Sequence, residues 1–399
     1  MNKHKLTIIT QYFPPEMGAP QSRLWETAVG LKKRGWQIQV ITAMPNYPTG
    51  KVFPDYRNKF SLSETIDDIK ILRYYLYASN SKKKFPRIVS MLTFSFTVLF
   101  SCLKIRQFKP DYILTESPPL TLALSGLLLS KIAKSKHIIN VSDLWPLSAY
   151  ELGAISKGTI YNMLEWLEKF LYRNSFACTG QSNEIITQLI ERGSKKTHLY
   201  RNGVDYKRFS TADAKYTKKS TKKTIVYAGL LGVAQGILAI CKNIRFKETN
   251  CEFHIYGDGA EKIEIETFIK NNPEIPIFYH GKANRNDIPY LLKSYDTTII
   301  PLIKPIFGAI PSKIYEAMAA ELPIIFSGGG EGAKLIVEHE VGWICEPSDF
   351  ESINQVLHAI NTMDTMAWNK YKTNCKLAAQ HVFDREIQIN QLDSFLKES

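Results

Sequence analysis

Cysteine is scarce and scattered in this chain. The six thiols, Cys102, Cys178, Cys241, Cys251, Cys345 and Cys375, form no C-x-x-C pair and no metal-ligand spacing. That usage fits a reducing cytosol and excludes a zinc module of ordinary spacing. Several signatures are missing outright. There is no G-x-G-x-x-G, no phosphate-binding G-x-x-x-x-G-K-[ST], no G-x-S-x-G elbow and no kinase set, which removes the usual dehydrogenase, NTPase, hydrolase and kinase readings. No D-x-D occurs either. Enzymes that hold a nucleotide diphosphate through a divalent metal need paired carboxylates for it, so a diphosphate here would be met by lysine and helix dipoles, with no metal ligand and no cofactor expected. The apolar run in M-N-K-H-K-L-T-I-I-T is too short for a signal peptide and reads as a buried strand. No repeat of solenoid period and no low-complexity tract is visible.

What is present is length enough for two or three domains, 399 residues in all. The positive charge is unevenly placed. Residues 1–210 hold 30 Lys+Arg against 15 Asp+Glu, whereas residues 211–399 hold 21 against 23. The basic half could face a nucleic acid, an anionic membrane or a polyanionic substrate.

Strand and helix signals alternate along the first half. Strands are expected at 6–10, 37–42, 69–74, 112–116, 137–142 and 176–180, and a helix over 21–34 that stops at Gly35. After a polar stretch at 211–223 the pattern restarts, with strands expected at 224–228, 252–256, 277–280, 297–301 and 323–326. Such alternation implies doubly wound parallel sheets. The expected division is a Rossmann-like domain over 1–205, a linker over 206–223 and a second Rossmann-like domain over 224–399, whose last helix could pack back on the first. Ligands of such sheets bind at the carboxyl ends of the strands, which points to the loop at 11–19 and to the residues after Ser142.

One segment departs from a plain globular pattern. Ile88–Leu103 is nearly all apolar and uncharged, with Lys82, Lys83, Lys84 and Arg87 before it and Lys104, Arg106 and Lys109 after it. It is short for a membrane span. Basic flanks suit a helix lying in the interface of an anionic membrane; the alternative is a helix buried beneath the sheet.

The stretch 310–330, I-P-S-K-I-Y-E-A-M-A-A-E-L-P-I-I-F-S-G-G-G, organises the second half. Pro311 and Ser312 open a helix, serine being a capping residue. Lys313 then falls in the first turn, where the helix dipole disfavours a cation unless an anion shares the site. Glu316 follows on the same face, able to accept hydroxyl hydrogen bonds. A nucleoside diphosphate fits that pair; the plain alternative is an idle surface Lys/Glu pair. In P-P-E-M-G-A-P, Gly18 permits close approach of a ligand to the backbone, or simply a turn. Asp143, in V-S-D-L-W-P, is a candidate base or hydroxyl-orienting carboxylate, or a helix N-cap. Y-A-G-L-L-G (Tyr227–Gly232) and Y-G-D-G (Tyr256–Gly259) are expected to be tight strand-to-helix turns with exposed N–H groups. S-G-G-G-E-G (Ser327–Gly332) repeats that pattern and reads as structural, or at most a mobile rim.

These pieces, with P-N-Y-P-T-G at Pro45–Gly50 and R-N-G-V-D at Arg201–Asp205, together resemble family 4 glycosyltransferases of the GT-B fold over nearly the whole chain. Within that family the likeness is greatest to the WbuB-like and CapL-like enzymes of bacterial surface-polysaccharide synthesis, associated with N-acetyl-L-fucosamine transfer. The resemblance implies two Rossmann-like domains facing across a cleft and a UDP-sugar donor held mainly by the C-terminal domain. It also implies a lipid-linked sugar acceptor on the N-terminal domain and a place on the inner face of the bacterial cell membrane. By the same resemblance Glu316 bonds the ribose and Lys313 neutralises the diphosphate and acts in catalysis. Gly18 and Ala19 meet the donor phosphates, and Gly229, Gly257, Pro311 and Ser312 line the nucleotide pocket. Three departures stand out. The family's E-x7-E motif would place its first glutamate at Gly308, many members carry Arg or Lys where this chain has Val233, and the usual N-terminal histidine has no match, which leaves Asp143 as the catalytic candidate. Two other functions compete: a sugar-nucleotide epimerase of the same fold, and a nucleic-acid binder using the basic half. The last lacks the aromatic–basic interleaving of such modules, and no nucleic-acid partner is expected.

Overall fold

A computed structural model of the chain describes residues 3–16, 18–79, 84–151, 153–213, 221–304 and 307–398. The chain separates into two compact units, Met1–Arg201 with Ile389–Ser399, and Asn202–Gln388. Each is built around its own sheet.

The first unit's strands are β1 (Lys5–Thr10), β2 (Gln37–Ala43), β3 (Ser61–Ile66), β4 (Ile69–Tyr74), β5 (Tyr112–Ser117), β6 (Lys136–Val141), β7 (Ala177–Gly180) and β8 (Thr197–Leu199). They lie in the order β3-β4-β2-β1-β5-β6-β7-β8, all parallel except β3, which runs antiparallel to β4. Its helices are α1 (Ala19–Lys33), α2 (Lys84–Thr97), α3 (Cys102–Phe108), α4 (Leu120–Ala133), α5 (Leu147–Glu151), α6 (Thr159–Asn174) and α7 (Asn183–Glu191). β1 shows why this sheet needs cover on both faces. Leu6 and Ile8 enter one apolar layer, and Ile9 enters the other, as the two-residue period of a strand dictates.

The second unit opens with α8 (Tyr206–Ser210), β9 (Lys223–Leu230), α9 (Ile237–Asn243), β10 (Cys251–Asp258), α10 (Lys262–Asn271), β11 (Ile277–Tyr279) and α11 (Ile288–Leu292). It continues through β12 (Thr297–Pro301), α12 (Ser312–Ala319), β13 (Ile324–Ser327), α13 (Gly330–Glu338), β14 (Gly342–Cys345), α14 (Phe350–Thr362) and α15 (Thr365–His381). All its strands are parallel, in the order β11-β10-β9-β12-β13-β14. The strand order reverses direction between β1 and β5 in the first sheet and between β9 and β12 in the second. Ligands of doubly wound sheets bind beside such switch points, at the strands' carboxyl ends.

The last helix, α16 (Arg385–Lys397), begins in the second unit and finishes in the first. Its Ile389, Leu392 and Leu396 are buried with Leu24 and Trp36 in one apolar layer of the first unit. The Trp36 indole donates to Asp393 at 2.6 Å, and the Tyr112 hydroxyl donates to the Leu396 carbonyl at 2.8 Å. Gly30 of α1 leaves the room, since a Cβ there would stand 2.7 Å from Ile389 Cδ1.

Some expectations need correction. Residues 206–223 are not a plain linker: Tyr206–Ser210 is a helix capped by the Asp205 side chain, Phe209 is buried in the second unit's core, and Lys223 already belongs to β9. Residues 214–220 lie outside the described residues. Ser312 does not cap α12; Pro311 is the N-cap residue and no side chain bonds there. Gly229 and Gly257 do not lie in turns. They sit opposite each other inside paired strands β9 and β10, and a Cβ on Gly257 would fall 1.9 Å from the Gly229 carbonyl oxygen.

Ile88–Leu103 is neither wholly buried nor wholly free. Phe94, Val98 and Ile105 pack into the core beside β4 and α4. Ile88, Leu92, Phe96, Phe100 and Leu103 are exposed along one stripe. Among the described residues, Ile88–Phe108 is long and apolar enough to cross a membrane by length and composition. Lys82 and Lys83 lie outside the described residues, and Lys84 and Arg87 fall in the first turns of α2.

Candidate functional site

In the second unit the candidate site grows from the carboxyl end of β9 and the first turn of α12. The Gly229 backbone passes so close to Lys313 that a Cβ would stand 2.2 Å from Lys313 Cε and 2.6 Å from Nζ. The ammonium lies 5.6 Å from the centre of the Tyr227 ring, a cation–π contact. The Tyr227 hydroxyl is itself fixed, donating to the Leu230 carbonyl at 2.6 Å.

Burial lowers the Lys313 ammonium from its ordinary range, and neighbouring Glu316 partly offsets this. Burial raises the Glu316 carboxyl, against the pull of Lys313, Arg285, Arg208 and Arg385. Two ionisable groups one helical turn apart are thus held in a recess that disfavours both charges. Paired shifts of this kind recur at functional sites and also in structural ion-pair networks. Pro311 and Ser312 present the N-terminal turn of α12 beside them, where free N–H groups favour an anion.

Glycine shapes the rest of this site. Gly259 has φ 155, and a Cβ on it would lie 2.4 Å from the Leu231 carbonyl oxygen. Gly308, where the resemblance would place an acidic residue, has φ 77, a left-handed conformation that favours glycine over glutamate. Val233 is exposed.

The first unit gathers a different set at the carboxyl ends of β5, β6 and β7. Arg23 of α1, almost wholly buried, pairs with Glu116 at 2.5 Å and donates to the Ser142 hydroxyl at 2.7 Å. Glu116 also accepts from Asn140 at 2.7 Å, and Asn140 accepts from Thr179 at 2.6 Å. Asp143 stands next to this network. Burial raises its carboxyl, with Arg23 pulling it down and Glu116 pushing it up. It caps no helix: the next, α5, starts only at Leu147.

The loop after β1 is also tied down from within. Glu16 is buried and accepts from the Asn46 and Tyr47 amides at 2.7 and 2.8 Å and from the Phe13 amide at 3.1 Å. It thereby joins P-P-E-M-G-A-P to P-N-Y-P-T-G. Gly18, at φ 173 and ψ 170, is the extended N-cap residue of α1, and Ala19 is that helix's first residue.

Arg23, Glu116, Arg208, Arg285 and Arg385 escaped the sequence reading. Arg23 and Glu116 are 93 positions apart, so nothing local signals their pairing. Arg285 and Arg208 come from a short turn and a segment read as linker. The one usable signal was Arg23's place on the expected first helix, after a loop already singled out.

Two family descriptions match the chain: "Glycosyl transferase 4-like domain" over residues 18–203 and "Glycosyl transferases group 1" over residues 209–376. The chain is 22% identical to the Escherichia coli K12 glycosyl transferase WcaI, named for colanic acid biosynthesis, over 97% of this chain and 98% of that one. Its fold is similar to sucrose-phosphate synthase of Thermosynechococcus elongatus, with TM-score 0.75 and 15% identity over 99% of both chains. It is also similar to Anabaena HepE in complex with UDP-glucose, with TM-score 0.67 and 15% identity over 99% of this chain and 100% of that one. With its two doubly wound sheets, the chain belongs to the family 4 glycosyltransferases and has the GT-B fold.

Proposed function

We propose that this glycosyltransferase moves a sugar from a UDP-sugar to an undecaprenyl-diphosphate-linked acceptor during synthesis of a bacterial capsule, O-antigen or exopolysaccharide. The sugar is an N-acetylated deoxy-hexosamine, N-acetyl-L-fucosamine or a close relative, in line with the WbuB-like and CapL-like resemblance. WcaI and the UDP-glucose complex of HepE support the polysaccharide setting and the donor class. The observation that carries the reading is the Lys313–Glu316 pair in its desolvating recess against Gly229.

Breaking the bond between the anomeric carbon and the diphosphate oxygen leaves negative charge on UDP. A cation already stripped of water stabilises that charge more than it stabilises the spread charge of the intact donor, and this difference lowers the barrier. In this reading Lys313 takes that role, with no metal ion required. Glu316 accepts from the ribose hydroxyls, with Gly229, Gly257, Pro311 and Ser312 shaping the pocket. Gly18 and Ala19 are the first unit's candidates for phosphate contact, and Asp143 is its candidate for the acceptor hydroxyl. The enzyme works peripherally on the inner face of the cell membrane, held through the α2–α3 segment.

The test is UDP release from the purified chain with a panel of UDP-sugars and lipid-linked acceptors. Product with one pairing supports the reading; no UDP release with any pairing overturns it.

A further inference from the structure

The exposed stripe of α2 and α3 does not stand alone. α4 packs directly against α2 and α3 on one side and against α6 on the other. Leu128 and Ile132 of α4 are exposed by 44% and 47%. On α6, Ile160, Met163 and Trp166 are exposed by 67%, 59% and 65%, at three-residue spacing that puts them on one face. Three neighbouring helices therefore present large apolar side chains to the same side of the first unit. An exposed apolar face of this extent marks an interaction surface.

Charge identifies the occupant. α2, α3 and α4 contain no Asp or Glu. Of the two acidic residues on α6, Glu165 pairs with Lys169 at 3.0 Å, and Glu168 is buried against Arg192. Exposed cations gather where α3 and α4 end: Lys104, Arg106 and Lys109 on one, Lys131 and Lys134 on the other. A groove of about 850 Å³ opens there, lined by Arg106, Lys109, Lys134, Lys136 and Lys397. Its one carboxylate, Asp111, is occupied by the Lys5 amide at 2.7 Å and lies 3.9 Å from His4. Apolar helix faces edged by cations match an anionic bilayer, with acyl chains against the faces and phosphates in the groove.

We propose that the outer faces of α2–α3, α4 and α6 form one docking surface for an anionic membrane, with the groove at the ends of α3 and α4 seating lipid phosphates. This extends the membrane placement above from one segment to a three-helix face, and rests on that placement but not on the sugar-transfer chemistry. The core contacts of Phe94, Val98 and Ile105 keep α2–α3 within the domain, so the surface lies in the interface and does not span it.

The test is co-sedimentation of the full chain with phosphatidylglycerol-rich and with pure phosphatidylcholine vesicles, over a range of salt. Binding to the anionic vesicles alone is expected. Met163→Glu with Trp166→Glu should weaken it by about tenfold or more, as should Phe96→Glu with Phe100→Glu. Arg106→Glu with Lys134→Glu should remove the preference for anionic lipid. Each variant is first checked by circular dichroism and by UDP release with a water-soluble acceptor, which should match the parent. Parent-like vesicle binding by the α6 variant overturns the three-helix face. A concentration-dependent dimer that the α6 variant abolishes overturns the lipid occupant, and inorganic polyphosphate binding that outcompetes vesicles overturns the headgroup role of the groove. UDP release without vesicle binding defeats this inference and leaves the transferase standing; vesicle binding without UDP release does the reverse.

Discussion

Gly229 and Lys313 compete for one volume: a Cβ on the glycine would stand 2.2 Å from the lysine's Cε and 2.6 Å from its Nζ. The clash would fall on the far end of a flexible side chain, so Gly229→Ala should leave the fold intact while pushing the ammonium aside. Turnover should fall nearly as far as in Lys313→Ala, for which a loss of at least about tenfold is expected, or about 1.4 kcal/mol of barrier. The double variant should be little worse than Lys313→Ala, because both remove one positioned charge. Steady-state UDP release and thermal midpoints measure both effects. Additive losses would show that Gly229 acts apart from Lys313.

Glu316 separates stability from activity. Its carboxyl is raised by burial despite four nearby cations, so the folded chain holds that proton more tightly than the unfolded chain. Stability from this group is full below its ordinary pKa and declines as pH rises through the raised value. Glu316→Gln should therefore keep or raise the thermal midpoint at neutral pH while cutting turnover at least about tenfold. A variant that loses stability and keeps its activity would make Glu316 a structural residue.

His137 sets an acid limit on the first unit. It is fully enclosed, bonded to Thr115 at 3.1 Å and Ser175 at 2.9 Å, and burial pushes its imidazole down to about 3. The unfolded chain takes up this proton near the ordinary value of 6.5 and the folded chain does not. Stability is thus complete above that pH and falls as acid is added, with a slope approaching about 1.4 kcal/mol per pH unit from this group. Urea midpoints between pH 7 and 4 should show the decline, and His137→Gln should flatten it. An unchanged slope would assign the acid sensitivity elsewhere.

The fold was legible where strands are buried on both faces. Lys5–Thr10 and Thr297–Pro301 fall within a residue of where the sequence pattern places them, since a central parallel strand writes its burial into consecutive residues. β3, S-L-S-E-T-I, was missed because an edge strand with its side chains exposed or half-buried has no such run. β14, G-W-I-C, is too short and opens on glycine. The glycines in Y-A-G-L-L-G and Y-G-D-G misled for a definite reason. Glycine ordinarily signals a turn, yet Gly257 is needed where β9 and β10 approach closely and Gly229 leaves the room that Lys313 occupies. Lys313 and Glu316 could be found because one short helix carries both. The Arg23–Glu116 pair could not, because only the assembled sheet brings α1 and β5 together.

The end of α16 completes the first unit's core, so its loss should be felt there. Ile389, Leu392 and Leu396 are at most 1% exposed and sit in the layer that holds Leu24 and Trp36. Leu392→Ala removes buried methyl groups and leaves a cavity, at a cost of about 2–5 kcal/mol. Deleting Ile389–Ser399 uncovers the whole patch and also removes the partners of Trp36 and Tyr112, so the truncated chain should unfold at clearly lower urea than Leu392→Ala. Exposed Lys397 makes a 2.8 Å pair with Asp393, a surface contact worth about 0–1 kcal/mol, and Lys397→Ala should stay near the parent. Urea titrations followed by tryptophan fluorescence distinguish these cases. A truncated chain as stable as the parent would mean that the first unit closes its core without α16.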